Sequence, residues 1–422
     1  MYKNGTFHIE NISAKTIVNS TGTPVFVYSK AVLYKHLNAY LNALRNHPCY
    51  CTDYTSHLLC YAVKANSNLS ILKYIASQGA GFDIVSAGEL ERVLIAGGSP
   101  DKIVFSGVGK NYDELKKALD AGVYCFNVES EAELFILQAI AKQVNKIAPV
   151  SLRINPDVDA NTHAYISTGL KENKFGIDIN QAEALYHQAT QCSHLSVKGI
   201  DCHIGSQITQ LQPFVDAADK ILNLADRLMS AGIHLTHINM GGGLGVNYAD
   251  EQVPSITDYV NALCNRTGKR KLRLLLEPGR SVIAEAGVLI SRVILTKNNG
   301  YKHFAIIDAG MNDLIRPALY GAKHRIVPLL DEGRDTANHY DIVGPVCETA
   351  DCFAKQLHID LNKDDYLVIL NAGAYSMSMA SNYNSRPRAT EVMVDADQWK
   401  IIRRQETTED MLRTETPYIS GE

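Results

Sequence analysis

The sequence predicts an α/β fold: a (β/α)8 barrel of the TIM type, followed by a C-terminal all-β domain that the N-terminal strand completes. Three observations carry this expectation. Short apolar runs alternate with helix-patterned segments from about residue 57 to about residue 280, and such alternation implies a parallel sheet covered on both faces. The runs number eight, and eight βα units over about 220 residues match a closed barrel in count and length. Beyond about residue 286 the helical pattern gives way to strand-like runs separated by turns. A doubly wound open sheet is the alternative for the first part, because strand periodicity alone does not distinguish the two.

Composition sets the bounds. A chain of 422 residues accommodates two or three domains, or one barrel with a smaller unit. Hydrophobic residues make up 46% of it, ample for a large core. The net charge of −4, with no block of like charges, argues against nucleic acid or an anionic membrane as partner. No apolar run reaches the length of about 18 residues that a membrane span needs. The start, Met1-Tyr2-Lys3-Asn4, lacks the apolar core of a signal peptide. Nine cysteines are scattered without a C-x-x-C pair. That pattern suggests neither a disulfide framework nor a zinc site, so no metal is expected and a reducing cytoplasm is the simplest setting.

Taken in order, Thr23–Tyr28 reads as a strand able to pair with the C-terminal domain. Barrel strands are expected near 57–64, 81–86, 103–107, 124–129, 150–155, 197–204, 237–240 and 272–277. Between them, segments such as 87–97, 111–121, 131–144, 181–191 and 213–231 carry Ala, Leu, Glu and Lys at helical spacing. Later strands are expected near 286–295, 303–308, 340–344, 366–370, 390–394 and 398–403. This places a barrel at 30–284 and a β-domain at 1–29 with 285–422.

In such a barrel the loops after the strands form the active face. Lys64 closes the first run, Leu58 to Val63. Burial disfavours its charged form, which suits a Schiff-base nucleophile; the ordinary alternative is a lysine that snorkels to water. Asp83 and Ser86 end the second run. His203 ends the sixth, where a flat ring can stack on a cofactor or simply satisfy the core. Gly241–Gly245 closes the seventh and admits an anion to backbone N–H groups. It is no dinucleotide fingerprint, because Val246 occupies the place of the third glycine. Glu277 ends the eighth run and needs a partner. Either Arg273 or Arg280 pairs with it, or it faces a protonated heteroaromatic nitrogen. Farther on, Gly344 and Pro345 beside Cys347 suggest a loop with an accessible thiol.

The set Tyr61-Ala62-Val63-Lys64-Ala65-Asn66, His203-Ile204-Gly205-Ser206-Gln207, Glu277-Pro278-Gly279-Arg280 and Gly344-Pro345-Val346-Cys347-Glu348 resembles the diaminopimelate decarboxylases. These are pyridoxal-phosphate enzymes with an alanine-racemase-like barrel. The likeness runs from Thr23-Pro24 to Arg386-Pro387-Arg388 and preserves the order of the motifs. It implies decarboxylation of meso-2,6-diaminopimelate to L-lysine through an external aldimine, the last step of lysine biosynthesis. By position, Lys64 resembles the lysine of the internal aldimine, His203 the residue stacked on the cofactor ring, and Glu277 the carboxylate beside the pyridine nitrogen. Ser206, Gly243, Gly279 and Tyr375 match positions around the phosphate. Arg280, Arg316, Tyr320, Glu348 and again Tyr375 match positions that bind substrate. Cys347 resembles a cysteine that reaches the neighbouring subunit's site, which implies a homodimer with shared active sites. Either Cys347 or Lys64 returns the proton after CO2 leaves. His163 and Lys174-Phe175-Gly176 also look family-like, without an assigned role. Two positions depart from the pattern: Thr349 and Asn173 stand where serine is expected, and both keep a small polar group.

Competing readings share the cofactor. A decarboxylase of ornithine, arginine or a D-amino acid keeps Lys64, His203 and Glu277 and changes the substrate segment. Racemases of this architecture place a basic residue where Glu277 stands. Non-catalytic pyridoxal-phosphate carriers resemble a lone barrel, whereas here roughly 135 residues follow it.

Overall fold

A computed structural model describes residues 1–47, 57–159, 173–268, 270–331 and 338–419. His163 lies outside them. The chain separates into two compact units, His36–Val246 with Gln252–Val282, and Met1–Lys35 with Asn247–Glu251 and Ile283–Glu422.

In the first of these, eight parallel strands close into a barrel: β1 (Leu58–Ala62), β2 (Gly81–Ile84), β3 (Ile103–Phe105), β4 (Cys125–Val128), β5 (Ala148–Asn155), β6 (Leu195–Asp201), β7 (His237–Asn239) and β8 (Arg273–Leu276). Each pairs with the next, and β8 returns to β1 with Leu275 opposite Leu58. An open sheet is thereby ruled out. The run Leu58 to Ala62 is buried at every residue, as a strand covered on both faces requires. The expected strands all form; a further two-residue strand, Ile177–Asp178, joins the edge of β5.

Helices begin where a short polar side chain caps them. Ser86 accepts from the backbone N–H of Glu89, and Ser130 from that of Glu133. Asn111 and Glu114 form a reciprocal capping box at the start of Tyr112–Ala121. Ser86 and Ser130 turn the chain two residues after the ends of β2 and β4. Two helices that the sequence reading did not single out, Leu69–Ser77 and Ile256–Thr267, are capped in the same way by Asn68 and Ser255.

The second unit is built on a long strand, Gly287–Asn298. It pairs antiparallel with Val25–Ser29, His303–Ile307 and Tyr366–Ile369. Val25–Ser29 also runs parallel to Thr390–Asp395, so the N-terminal strand is part of this sheet. Val25, Val27, Val288, Ile290, Val392 and Val394 alternate into one core, the period-2 signature of strands. Besides the short N-terminal strands Tyr2–Lys3, Thr6–Ile9 and Ile12–Ser13, two later strands escaped the sequence reading, Ile326–Pro328 and Cys352–Ile359. In the last of these, Lys355, Gln356 and His358 are exposed, so the chain shows no sustained apolar run there. No helix among the described residues is long and apolar enough to cross a membrane.

Candidate active site

The barrel gathers its polar residues at one end of the strands. Lys64 follows β1 in the short turn Val63–Ala65, and its ammonium forms an ion pair with Asp83 of β2. Asp83 is fully buried, whereas the Lys64 side chain is 39% exposed. Lys64 is thus less buried than the sequence reading expects, and the opposite charge on the neighbouring strand favours its ammonium form. Ser86 serves as a helix cap.

Glu277 follows β8, next to the strand that ends at Lys64; the Ala62 N–H donates to the Pro278 carbonyl at 3.1 Å. Its Oε1 accepts from the side-chain amides of Asn127, at 3.2 Å, and Asn239. Burial pushes its carboxyl well above the ordinary range, with help from the negative charges of Asp83 and Asp201; Lys64 opposes this. Asp201, at the end of β6, is pushed up to about 7 by burial, Glu129 and Asp83, against the pull of Arg153.

A supporting layer fixes these strand ends. Arg153 of β5 pairs with Glu129 at 2.7 Å, and both are buried. Glu129 also accepts from the N–H groups of Gly107 and Gly176, at 3.2 and 2.9 Å. The Phe175 ring lies 4.9 Å from the Arg153 guanidinium. The segment Lys174-Phe175-Gly176, which sequence left without a role, therefore supports the Arg153–Glu129 pair.

His203 is partly exposed, and its Nδ1 accepts from the Gly242 N–H at 3.2 Å. Desolvation, together with Arg153 and Lys64, holds its pKa well below the usual value, so the ring is neutral. The glycine run beside it is sterically required. A Cβ on Gly242 would meet the Glu277 carbonyl at 2.2 Å, and one on Gly243 the Gly205 carbonyl at 2.5 Å. Gly243 has φ +110, and it alone of Gly241–Gly245 is not buried. Arg280 is buried and donates to Ser206 Oγ, from Nη2 at 2.9 Å and Nε at 3.3 Å. Gly279 lies between Glu277 and Arg280, in the turn after β8.

The remaining expected residues belong to the second unit. Arg316 opens the helix Arg316–Tyr320 and is buried, while Tyr320 closes it half-buried. Cys347 and Glu348 are exposed on the loop after Asn338–Val343. The Cys347 N–H donates to Asn384 Oδ1 at 3.1 Å, and the Tyr383 hydroxyl donates to Glu348. Buried Asp351 fixes the same loop by accepting from the N–H groups of Val346 and Met311, each at 2.7 Å. Tyr375 holds φ +55 after the glycine at 373.

Sequence reasoning missed Asn127, Glu129, Arg153, Asp201 and Asn239, and it gave Asp83 no function. Each interrupts or ends an apolar strand, which is a visible signal, but its partner is far away in the chain.

Pyridoxal phosphate fits this set of residues. A lysine and a carboxylate end neighbouring strands, a neutral imidazole accepts from the backbone of the glycine run after β7, and Gly242 and Gly243 of that run admit no side chain. Asp83 Oδ1, Asn127 Oδ1 and Asp201 Oδ1 are buried without a hydrogen-bond partner among the described residues, as expected of a site built for a polar guest.

Comparison with known proteins agrees. The family described as pyridoxal-dependent decarboxylase, pyridoxal binding domain, matches residues 41–284. The diaminopimelate decarboxylase of Pseudomonas aeruginosa is 52% identical over 416 residues, 98% of each chain. That of Vibrio cholerae is 51% identical, covering 96% of this chain and 95% of the relative. Among solved structures, diaminopimelate decarboxylase from Helicobacter pylori complexed with L-lysine superposes with a TM-score of 0.90 at 40% identity, over 96% of this chain and 99% of that one. The chain belongs to the diaminopimelate decarboxylase family of pyridoxal-dependent decarboxylases.

Proposed function

We propose that this protein removes CO2 from meso-2,6-diaminopimelate to yield L-lysine, with pyridoxal phosphate as cofactor. The observation that carries the reading is the placement of Lys64 and Glu277 at the ends of adjacent barrel strands, with Glu277 seated on two amides. When bound, pyridoxal phosphate supplies an electron-accepting ring that stabilises the charge left at carbon as CO2 departs.

The chain's own groups do the rest. Lys64 supplies the amine that holds the cofactor, and Asp83 orients that amine. Glu277 would hold a proton at the pyridine nitrogen: burial raises its carboxyl above the ordinary range, and a cationic ring nitrogen beside it would oppose that shift. His203, held neutral, offers a flat face without adding charge beside Lys64. Ser206, Gly243, Gly279 and Tyr375 are assigned to the phosphate. Arg280, Arg316, Tyr320, Glu348 and Tyr375 are assigned to the substrate, the arginines for carboxylates and Glu348 for the far ammonium. Cys347 or Lys64 returns the proton to the α-carbon.

We assign the cofactor-holding part to residues 30–284, and substrate and dimer contacts to 1–29 with 285–422. A second copy of the chain receives Cys347, whose exposure on a loop anchored by Asp351 and Asn384 supports this. A cytoplasmic setting suits seven described cysteines that are all free.

The test is CO2 release and product analysis with pyridoxal phosphate. Meso-diaminopimelate, L-ornithine, L-arginine and D-lysine are compared, with Lys64→Ala as control. Lysine formed from diaminopimelate alone, and lost in the control, is expected. Turnover of another substrate instead would overturn the roles of Arg280, Arg316 and Glu348 while leaving that of Lys64.

A further inference from the structure

Arg316 is buried, and His324 and Tyr248, from other parts of its own unit, contact its guanidinium. Its Nη1 donates to His324 Nε2 at 2.8 Å. His324 is itself buried, and its Nδ1 lies 2.8 Å from the Leu370 carbonyl. A carbonyl only accepts, so Nδ1 carries the proton and Nε2 presents a lone pair to the guanidinium. One tautomer therefore satisfies both contacts. The Tyr248 ring covers the guanidinium face, 4.1 Å from Cζ to the ring centroid. The same ring meets His324 edge to face, at 5.0 Å and 68°.

The clamp is anchored twice at the end of strand Tyr366–Ile369. Leu370 holds His324, and the Asn371 side-chain amide donates to the Asn247 carbonyl at 2.6 Å, fixing the residue before Tyr248. Asn371 adopts φ +56, a conformation that asparagine tolerates better than most residues. Glu251 closes the loop by accepting from the N–H groups of Tyr248 and Ala249, both at 2.9 Å.

We infer that His324 and Tyr248 are positioning residues that set the Arg316 guanidinium for a substrate carboxylate, and so determine specificity for substrates carrying a second carboxylate. The inference rests on the reading of Arg316 as a carboxylate binder. Guanidinium–carboxylate recognition is planar and bidentate, so it depends on the rotation of the fork. A neutral acceptor at one Nη and an aromatic face fix that rotation without neutralising the charge. A carboxylate in the place of His324 would fix it as well, but would compete with the ligand.

The experiment measures holoenzyme affinity for L-lysine, which has a carboxylate, and for 1,5-diaminopentane, which has none. Steady-state constants for diaminopimelate accompany both. His324→Phe keeps the ring but removes the acceptor. It should weaken L-lysine and raise KM about tenfold, with kcat within about threefold and 1,5-diaminopentane unaffected. His324→Gln, which restores an acceptor near Nε2, should recover most of the affinity. Tyr248→Leu should resemble His324→Phe, whereas Tyr248→Phe, which keeps the aromatic face, should recover most of the affinity. Unchanged L-lysine affinity in His324→Phe and Tyr248→Leu, or equal weakening of both ligands, overturns the inference. Arg316→Leu separates the two levels of failure. If it weakens L-lysine and the neighbours do not, only the positioning role falls; if it too has no effect, the carboxylate role of Arg316 falls with it.

Discussion

Replacing Asp201 by asparagine should stabilise the protein at high pH and leave it nearly unchanged at low pH. Asp201 is 2% exposed at the end of β6, and its Oδ1 lacks a hydrogen-bond partner among the described residues. Burial and the charges of Glu129 and Asp83 raise its carboxyl from 3.8 to about 7. For an acid raised on folding, the folded state binds the proton more tightly than the unfolded chain. Its contribution is therefore most favourable below the unfolded pKa, falls as pH rises through the interval between the two values, and levels off above the folded one. A gap of about three pH units corresponds to roughly 4 kcal/mol at most. An asparagine does not ionise, so the variant should lose this dependence. Reversible urea unfolding of cofactor-free protein at pH 4.5 and pH 8 measures it. The variant should match the parent within about 1 kcal/mol at the lower pH and exceed it by roughly 2–4 kcal/mol at the higher. A stability difference that is the same at both pH values would refute the reasoning, because a pH-independent effect would come from packing rather than charge.

Other outcomes follow from the same geometry. Glu277→Gln removes the carboxylate held by Asn127 and Asn239; kcat should fall by about 10²-fold or more while the cofactor's visible absorbance band persists, checked by steady-state kinetics with spectroscopy. Gly243→Ala forces a side chain into φ +110 and against the Gly205 carbonyl, so cofactor affinity should drop about tenfold or more in an equilibrium titration. Tyr383→Phe deletes the hydroxyl that holds Glu348; KM for diaminopimelate should rise several-fold, by roughly 1 kcal/mol of binding, with kcat little changed.

Lys64 and Glu277, on which the proposed site turns, stand out in the sequence for a local reason. Each ends an apolar run, and a charged group at the end of a buried strand is conspicuous without knowing what faces it. The barrel was legible for the same reason, since burial on both faces writes continuous apolar runs into the chain. The strand Cys352–Ile359 was hidden because its exposed positions break the apolar run.

Partnership is a different matter. Glu277 meets Asn127 across 150 residues of chain because closure of the sheet brings β8 and β4 to one end of the barrel. Lys64 finds Asp83 because β1 and β2 lie side by side in register, with Ala62 opposite Asp83. Arg316 gains its clamp from a histidine eight residues on and from Tyr248, far earlier in the chain. The sequence by itself determined which segments are buried and where chemically costly residues end them, because burial acts on each segment locally. The tertiary structure alone decided which of those residues face one another, because opposing charges and dipoles are matched by strand register and loop path, and neither is written in local periodicity.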